Sequence, residues 1–359
     1  MAIYVKDLEV DLYRGIKNLE LNNLSDINIL TGDNNSGKTS ILEVLRSLTF
    51  PFEIESWNDS LRVPQTIFSS NNLSFFENTS LLFNVNENFI KYRFVTGSNI
   101  KMEIYINCEE EEVELEEKEI DKISGIIFKN KKSDSEKLVP VKKLKLSFYK
   151  NDELVNEQEI YEVSRRRIIK NKNGDEFLST VYVSPFQHIE GTVYLNDIFN
   201  NPELYQEMIE ILKEFDKGII SINASREGRS VIYKILSQNG SIPLNIYGDG
   251  MKKAILLISA VVKAKNGVLL LDEFETAIHT TAMKEVFSWI LRSCIKLNIQ
   301  LFLTSHSKEA IEKVLSCCPE LQEKINLYTL YKKENQTVAR RLTAKEAIEA
   351  SESFNLELR

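Results

Sequence analysis

Two glycines, a lysine and a hydroxyl stand at a spacing that fits one chemistry. Gly32-Asp-Asn-Asn-Ser-Gly-Lys-Thr39 satisfies the pattern G-x-x-x-x-G-K-[ST] without a mismatch. Gly32 and Gly37 let backbone N–H groups turn inward around phosphate oxygens, with Asn34, Asn35 and Ser36 between them and Ser40 just beyond. Lys38 is placed to reach β- and γ-phosphates, and the Thr39 hydroxyl to take one position on Mg²⁺. The flanks agree. Ile27 to Leu30 reads as a short β-branched strand entering the loop, and Ile41, Leu42, Leu45 and Leu48 recur at helical spacing after it. A Gly/Asn-rich turn that fits by chance needs neither strand nor helix, so the expectation is a nucleoside triphosphate site.

A second constellation lies far downstream. Val268-Leu-Leu-Leu271 reads as a buried strand ending in Asp272 and Glu273. Placed beside the first loop, Asp272 would hold Mg²⁺ and Glu273 would act as general base toward the attacking water. Ile299-Gln-Leu-Phe-Leu-Thr-Ser-His306 is a further strand ending in polar groups. His306 there fits a hydrogen bond to a γ-phosphate and to the attacking water better than a simple cap. Gly248-Asp-Gly-Met-Lys-Lys253 opens an apolar helix expected to run to about Lys265.

Composition sets the bounds. A length of 359 residues points to two domains, or to one with a large insertion. A net charge of -8 argues against a broad nucleic-acid-coating surface and leaves room for a local basic groove. Cys108, Cys294, Cys317 and Cys318 show no metal spacing and read as reduced thiols of a cytoplasmic protein. The N-terminus carries charge too early for a signal peptide, and the longest apolar run, Ala254 to Val262, is too short to span a bilayer. No membrane association is expected.

In chain order, Ile3 to Leu21 reads as a hairpin turning at Arg14-Gly15. Arg14 serves equally well as a surface turn residue or as a cation over nucleotide phosphates. From 51 to 179 the chain is rich in Asn, Ser, Phe, Tyr and Lys. Alternating runs there (Leu81–Val85, Phe89–Val95, Lys101–Ile106, Leu144–Tyr149) predict half-buried antiparallel strands, with no heptads to make a coiled coil. The acidic run Glu109–Glu119 reads as a solvated hairpin edge or loop. The basic stretch from Lys129 through Lys142, Lys143 and Lys145 to Arg165-Arg166-Arg167 and Lys170 reads as a solvated face, with a nucleic-acid or acidic-partner surface as the second reading. Asn171–Asp175 predicts a hairpin turn. From 180 the pattern is α/β again: a strand at Thr180–Ser184, a helix from Asn201-Pro202 to about Phe215, strands near Ile219–Ile222 and Val231–Leu236, a last strand at Ile325–Tyr331, and a helix capped by Thr343-x-x-Glu346.

These motifs together resemble the ABC-type ATPases of the OLD-like group, found among prokaryotic anti-phage systems. The resemblance is carried by Arg14-Gly-Ile, by Ile27 through Glu43, by Gly248-Asp-Gly-Met-Lys-Lys, by Leu271-Asp-Glu-Phe-Glu-Thr-Ala-Ile-His279 and by Thr304-Ser-His-Ser-Lys. It implies an α/β fold with an ABC-type P-loop head of two lobes, formed by residues 1–50 and 180–359, and a β-rich insertion at 51–179. It implies Mg²⁺-dependent ATP hydrolysis, His306 as switch histidine and Gln187 as Mg²⁺-sensing glutamine. Gly248, Asp249 and Gly250 become the signature loop that contacts the γ-phosphate of a second protomer in an ATP sandwich. Two departures stand out: Tyr247-Gly248 where a signature serine is usual, and Glu275-Thr-Ala-Ile-His279 where acidic-Asn-Gly-Leu-His is usual. OLD proteins carry a TOPRIM nuclease domain after the ATPase. Here the three histidines, His188, His279 and His306, and the absence of a D-x-D pair predict no nuclease, so a separate effector is expected. The implied function is a nucleotide-driven dimeric switch over that effector; the alternative is a DNA-engaging repair-type clamp.

Overall fold

Strands buried on both faces read as unbroken apolar runs, and the central sheet is of that kind. The computed structural model describes residues 3–53, 75–115, 137–163, 166–170, 176–191, 193–227 and 230–354. In chain order its strands are β1 (Val5–Tyr13), β2 (Ile16–Leu21), β3 (Ile27–Gly32), β4 (Phe89–Thr96), β5 (Lys101–Leu115), β6 (Lys137–Lys150), β7 (Glu153–Val163), β8 (Arg166–Lys170), β9 (Thr180–Val183), β10 (Ile219–Glu227), β11 (Ser230–Ser237), β12 (Gly240–Pro243), β13 (Val268–Leu271), β14 (Gln300–Thr304), β15 (Ile325–Lys333) and β16 (Gln336–Thr343). The helices are α1 (Lys38–Ser47), α2 (Phe75–Ser80), α3 (Leu195–Phe199), α4 (Pro202–Leu212), α5 (Asp249–Lys263), α6 (Thr280–Lys296), α7 (Lys308–Ser316) and α8 (Ala344–Phe354).

Six strands form the central sheet in the order β16-β15-β3-β14-β13-β9. All its pairings are parallel except β15 with β16. Alternate side chains feed two cores. Ile27, Ile29, Leu269, Leu271, Leu301 and Leu303 face a cluster shared with α5, α6 and α7. Leu30, Leu270, Phe302 and Tyr328 face a second cluster with Ile41, Leu42 and Leu45 of α1 and the inward residues of β1, β4, β5 and β6. The central sheet thus sits between a helical layer and a layer made of α1 and an antiparallel sheet. That second sheet has the order β2-β1-β4-β5-β6-β7-β8, and β10-β11-β12 form a small third one.

Two sequence expectations change, and a third is decided between its alternatives. Leu81–Val85 is not a strand: Leu82 N–H closes the turn after α2 on the Thr79 carbonyl, Leu82 is buried, and Leu81 and Val85 are exposed. Of the two readings of the acidic run, the hairpin edge is the one seen through Leu115: it is the end of β5, beyond its pairing with β4, with Glu109 opposite Lys143 and Glu110 opposite Lys142 in β6. On the other side of β6, Lys143 and Lys145 pair with Glu159 and Glu157 of β7 at 3.4 and 2.8 Å. The glutamates at the end of β5 and in β7 thus flank the lysines of β6, as opposite charges on neighbouring strands do. Helix α4, N-capped by Asn201 with Pro202 in its first turn, ends at Leu212 in a turn rather than at Phe215. The predicted turn at 171–175, Arg165 and the end of the acidic run at 116–119 lie outside the described residues. Among the described residues no helix is long and apolar enough to cross a membrane.

One side chain joins the two large sheets. Gln300, wholly buried at the start of β14, accepts from the N–H groups of Tyr4 and Val5 at 3.1 and 2.9 Å. Its amide nitrogen donates to the carbonyls of Val5 and Ser25 at 2.8 and 3.1 Å. Gln300→Leu keeps the volume and orphans these backbone groups. The expected loss is about 2–4 kcal/mol, read as a lower urea midpoint with unchanged slope; an unchanged midpoint would show that the sheets hold without this amide.

Candidate functional site

The carboxyl ends of parallel strands are where loops and helix N-termini converge, and β3, β13 and β14 bring the sequence motifs together there. Backbone conformation explains the glycines. Gly32 leaves β3 at φ +133°, where a Cβ would lie 2.2 Å from the Leu330 carbonyl oxygen. Gly37, the N-cap of α1 at φ +106°, would place a Cβ 2.9 Å from Ile16 Cγ1. Asn35 between them also has positive φ. The resulting loop borders a cavity of about 650 Å³ lined by Arg14, Gly15, Ile16, Asn34, Asn35, Gly37, Lys38, Thr39, Ser40, Glu273 and His306.

Within this wall the buried Lys38 ammonium donates to the carbonyls of Gly32 and Asp33 at 2.7 and 2.9 Å. Burial lowers its pKa, and the field of Asp272 and then Glu273 opposes that shift. Asp272, 4% exposed, collects three hydroxyls. Its Oδ1 accepts from Thr39 at 3.0 Å and from Thr304 at 2.6 Å, and its Oδ2 accepts from Tyr182 at 3.1 Å. Thr304 Oγ1 also accepts from Glu273 N–H at 2.8 Å, which fixes Glu273 at the strained φ of +42°. Glu273 Oε1 lies 3.8 Å from His306 Nε2 at the cavity wall. Glu275 holds the turn behind them, accepting from Ser305 Oγ at 2.7 Å and His306 N–H at 3.2 Å through Oε1.

The residues fit a magnesium nucleotide. Ser36 Oγ is buried in the loop without a hydrogen-bond partner, and the glycine-shaped cradle has no Cβ to block an anion. A hydroxyl and a carboxylate in contact offer hard oxygen donors of the kind Mg²⁺ shares with phosphates. Among the described residues no group of three or more His, Cys, Asp or Glu side chains stands ready to hold a metal alone.

Arg14, at φ +51°, turns its guanidinium back onto Glu43 of α1 at 3.2 Å while lining the cavity. Gln187 is not among the lining residues. It accepts from Ser184 N–H at 3.3 Å and donates to Tyr194 at 3.4 Å, spending its amide on its own loop. Gly248, Asp249 and Gly250 lie at the N-terminus of α5, outside that cavity wall. Asp249 pairs with Lys252 at 2.9 Å. A Cβ at Gly248 would meet open space, whereas one at Gly250 would lie 3.1 Å from the chain's own Ala277 oxygen and 3.4 Å from Phe215. Gly250 therefore serves internal packing, and Gly248 is the open member of the pair. His279 caps α6 through Nδ1.

Sequence reasoning gave no site role to Thr304, Tyr182, Glu43 or Glu275. Thr304 and Tyr182 stood at or near the ends of predicted strands, but only strand order reveals that their hydroxyls converge on Asp272.

A family model described as "AAA domain, putative AbiEii toxin, Type IV TA system" matches residues 27–312. An "ATP/GTP phosphatase" of Helicobacter pylori is 23% identical over 338 residues, 86% of each chain. An uncharacterized protein of Methanocaldococcus jannaschii is 34% identical over 68 residues, 19% of this chain and 60% of that one. Among solved structures, an SMC head bound to the C-winged helix domain of ScpA superposes with a TM-score of 0.53 at 12% identity, covering 96% of this chain and 99% of that one.

Thr304→Val keeps the shape of the side chain and removes both of its bonds at the Asp272–Glu273 step. It is expected to cost about 1.5–3 kcal/mol of stability, read from the urea midpoint, because one bond goes to a buried carboxylate. A variant as stable as the parent would show that Thr304 does not hold this step.

Proposed function

The chain belongs to this AAA-domain family and is an ABC-type P-loop ATPase, and on that premise we propose that it is a Mg²⁺-dependent, nucleotide-driven dimeric switch. In this reading it is OLD-like, and it controls a separate effector, a nuclease, in anti-phage defence. The observation that carries the chemical part is the convergence of Lys38, Thr39, Glu273 and His306 on one cavity, with Asp272 bonded to Thr39 behind its wall.

Lys38 leaves the two loop carbonyls to meet the β- and γ-phosphates. Thr39 and Asp272 would hold Mg²⁺, which when bound neutralises charge on the phosphate oxygens. Glu273 orients the attacking water and takes its proton, and His306 donates to the γ-phosphate. Arg14 stands at the cavity wall, with Asn34, Asn35, Ser36 and Ser40 supplying the cradle.

The switch follows from α5. Its first N–H groups are an anion site by geometry and dipole, the Gly248 side is open, and it lies outside the wall of its own nucleotide cavity. A second copy's γ-phosphate is the anion we assign to it, in a two-fold arrangement. We divide the chain into the ATPase head, 1–50 and 180–359, and a β-rich extension, 51–179, that docks the effector. The DNA-clamp reading is the weaker one, because Lys143 and Lys145 are already paired with glutamates.

Glu273→Gln tests both parts. Turnover is expected to fall roughly 10²–10⁴-fold with ATP still bound. In analytical ultracentrifugation the same variant is expected to shift from monomer to dimer on addition of Mg-ATP. Wild-type turnover would remove Glu273 as the base; sedimentation indifferent to Mg-ATP would end the sandwich model.

A further inference from the structure

Lys253 is the one wholly buried lysine among the described residues, and the chemistry above makes no use of it. It sits in the second turn of α5 and donates to the carbonyls of Ser184 and Pro185 at 3.4 and 3.1 Å. Those two residues follow β9 directly and lead into the loop that carries Gln187. The end of β9 is itself bonded to the metal-side carboxylate: the Val183 carbonyl accepts from Asp272 N–H at 3.0 Å, and the Tyr182 hydroxyl donates to Asp272 Oδ2. A continuous path therefore runs from the first turns of α5, through one ammonium and two carbonyls, to Asp272.

We propose that Lys253 is a positioning residue for hydrolysis, holding the β9 end and its following loop against α5 so that the N-terminus of α5 and the Asp272 carboxylate move as one body. The cost of burying an ammonium supports a specific role, since a buried charge persists only where partners hold it. Here the two carbonyls satisfy part of its donor capacity, and the field of Glu275, then Asp272 and Glu273, favours its charged form. Glu275 Oε2 is buried without a hydrogen-bond partner, so the Lys253 charge also offsets a carboxylate left short of donors. Anything seated on the open Gly248 side of α5 would then be felt at the metal carboxylate through rigid contacts rather than through a hinge.

The inference rests on the reading of Asp272 and Glu273 as the hydrolytic carboxylates, and Glu273→Gln is run beside it as the control. Lys253→Met keeps the length and apolar stem and removes the ammonium. The expected result is a kcat lower by roughly 10–100-fold, the cost of a misplaced site, with the dissociation constant for ATP within twofold of wild type. Wild-type kcat in Lys253→Met with a dead Glu273→Gln would overturn this inference alone; wild-type kcat in Glu273→Gln would overturn the site reading instead.

The unmodified protein decides the matter if the methionine variant does not fold. Burial lowers the Lys253 pKa from 10.5 to about 8. The field of Glu275, Asp272 and Glu273 opposes that shift, and His188, itself lowered by burial and then by Lys253, faces it. Lys253 loses its charge as pH rises through about 8. Because its folded pKa lies below its ordinary value, this group's contribution to folding stability rises with pH between about 8 and 10.5. A kcat that falls across that rise, with circular dichroism and ATP affinity unchanged, supports the proposal. A flat kcat through pH 9.5 overturns it.

Discussion

Everything at this site depends on fixing one carboxylate, Asp272, at the end of a buried strand. A carboxylate that is 4% exposed persists only if hydrogen bonds replace its water. Three hydroxyls do so, and each arrives on a different element. Thr39 comes from the first turn of α1 after β3, Thr304 from the end of β14 and Tyr182 from β9. The order β3-β14-β13-β9 places these donors around the end of β13, so the strand order and the site are one requirement. A register slip of one residue would turn each strand's side chains to the wrong face and disperse the cluster.

The same demand explains the two-sided burial of the sheet. Parallel strands need covered faces, and the helices on one side and the α1–antiparallel layer on the other supply them. The antiparallel layer begins with the hairpin β1–β2 and continues through β4 to β8, so those later strands extend an element that the N-terminus starts. Its charge is spent internally: the glutamates of β5 and β7 flank the lysines of β6.

What the sequence makes legible is what is contiguous. The phosphate loop lies within eight residues, so type and spacing disclose it together with the strand and helix around it. Asp272 and Glu273 are legible because a strand buried on both faces is an apolar run whose polar end stands out. Partners that meet only through strand order are not legible. Nothing near Tyr182 or Thr304 says that its hydroxyl will reach Asp272, and nothing near Glu109 says that Lys143 lies opposite, 34 positions along the chain by numbering. Leu81–Val85 fails for a related reason: a short apolar run fits a strand or a turn that buries one leucine, and the contact of Leu82 with the end of α2 decides it. Gly248 and Gly250 look equivalent in sequence, and only the nearness of Ala277 and Phe215 separates the open one from the packed one.

Metal retention measures the central claim most directly. With Mn²⁺ in place of Mg²⁺ and ATP present, electron paramagnetic resonance counts free against bound Mn²⁺ in the Glu273→Gln protein, where turnover does not intervene. Adding Asp272→Asn keeps the size of the side chain and removes its charge. If Asp272 is the fixed carboxylate around which the site is assembled, Mn²⁺ affinity falls by at least about tenfold while ATP still binds the phosphate loop. Equal Mn²⁺ affinity with and without the Asp272 charge would contradict it.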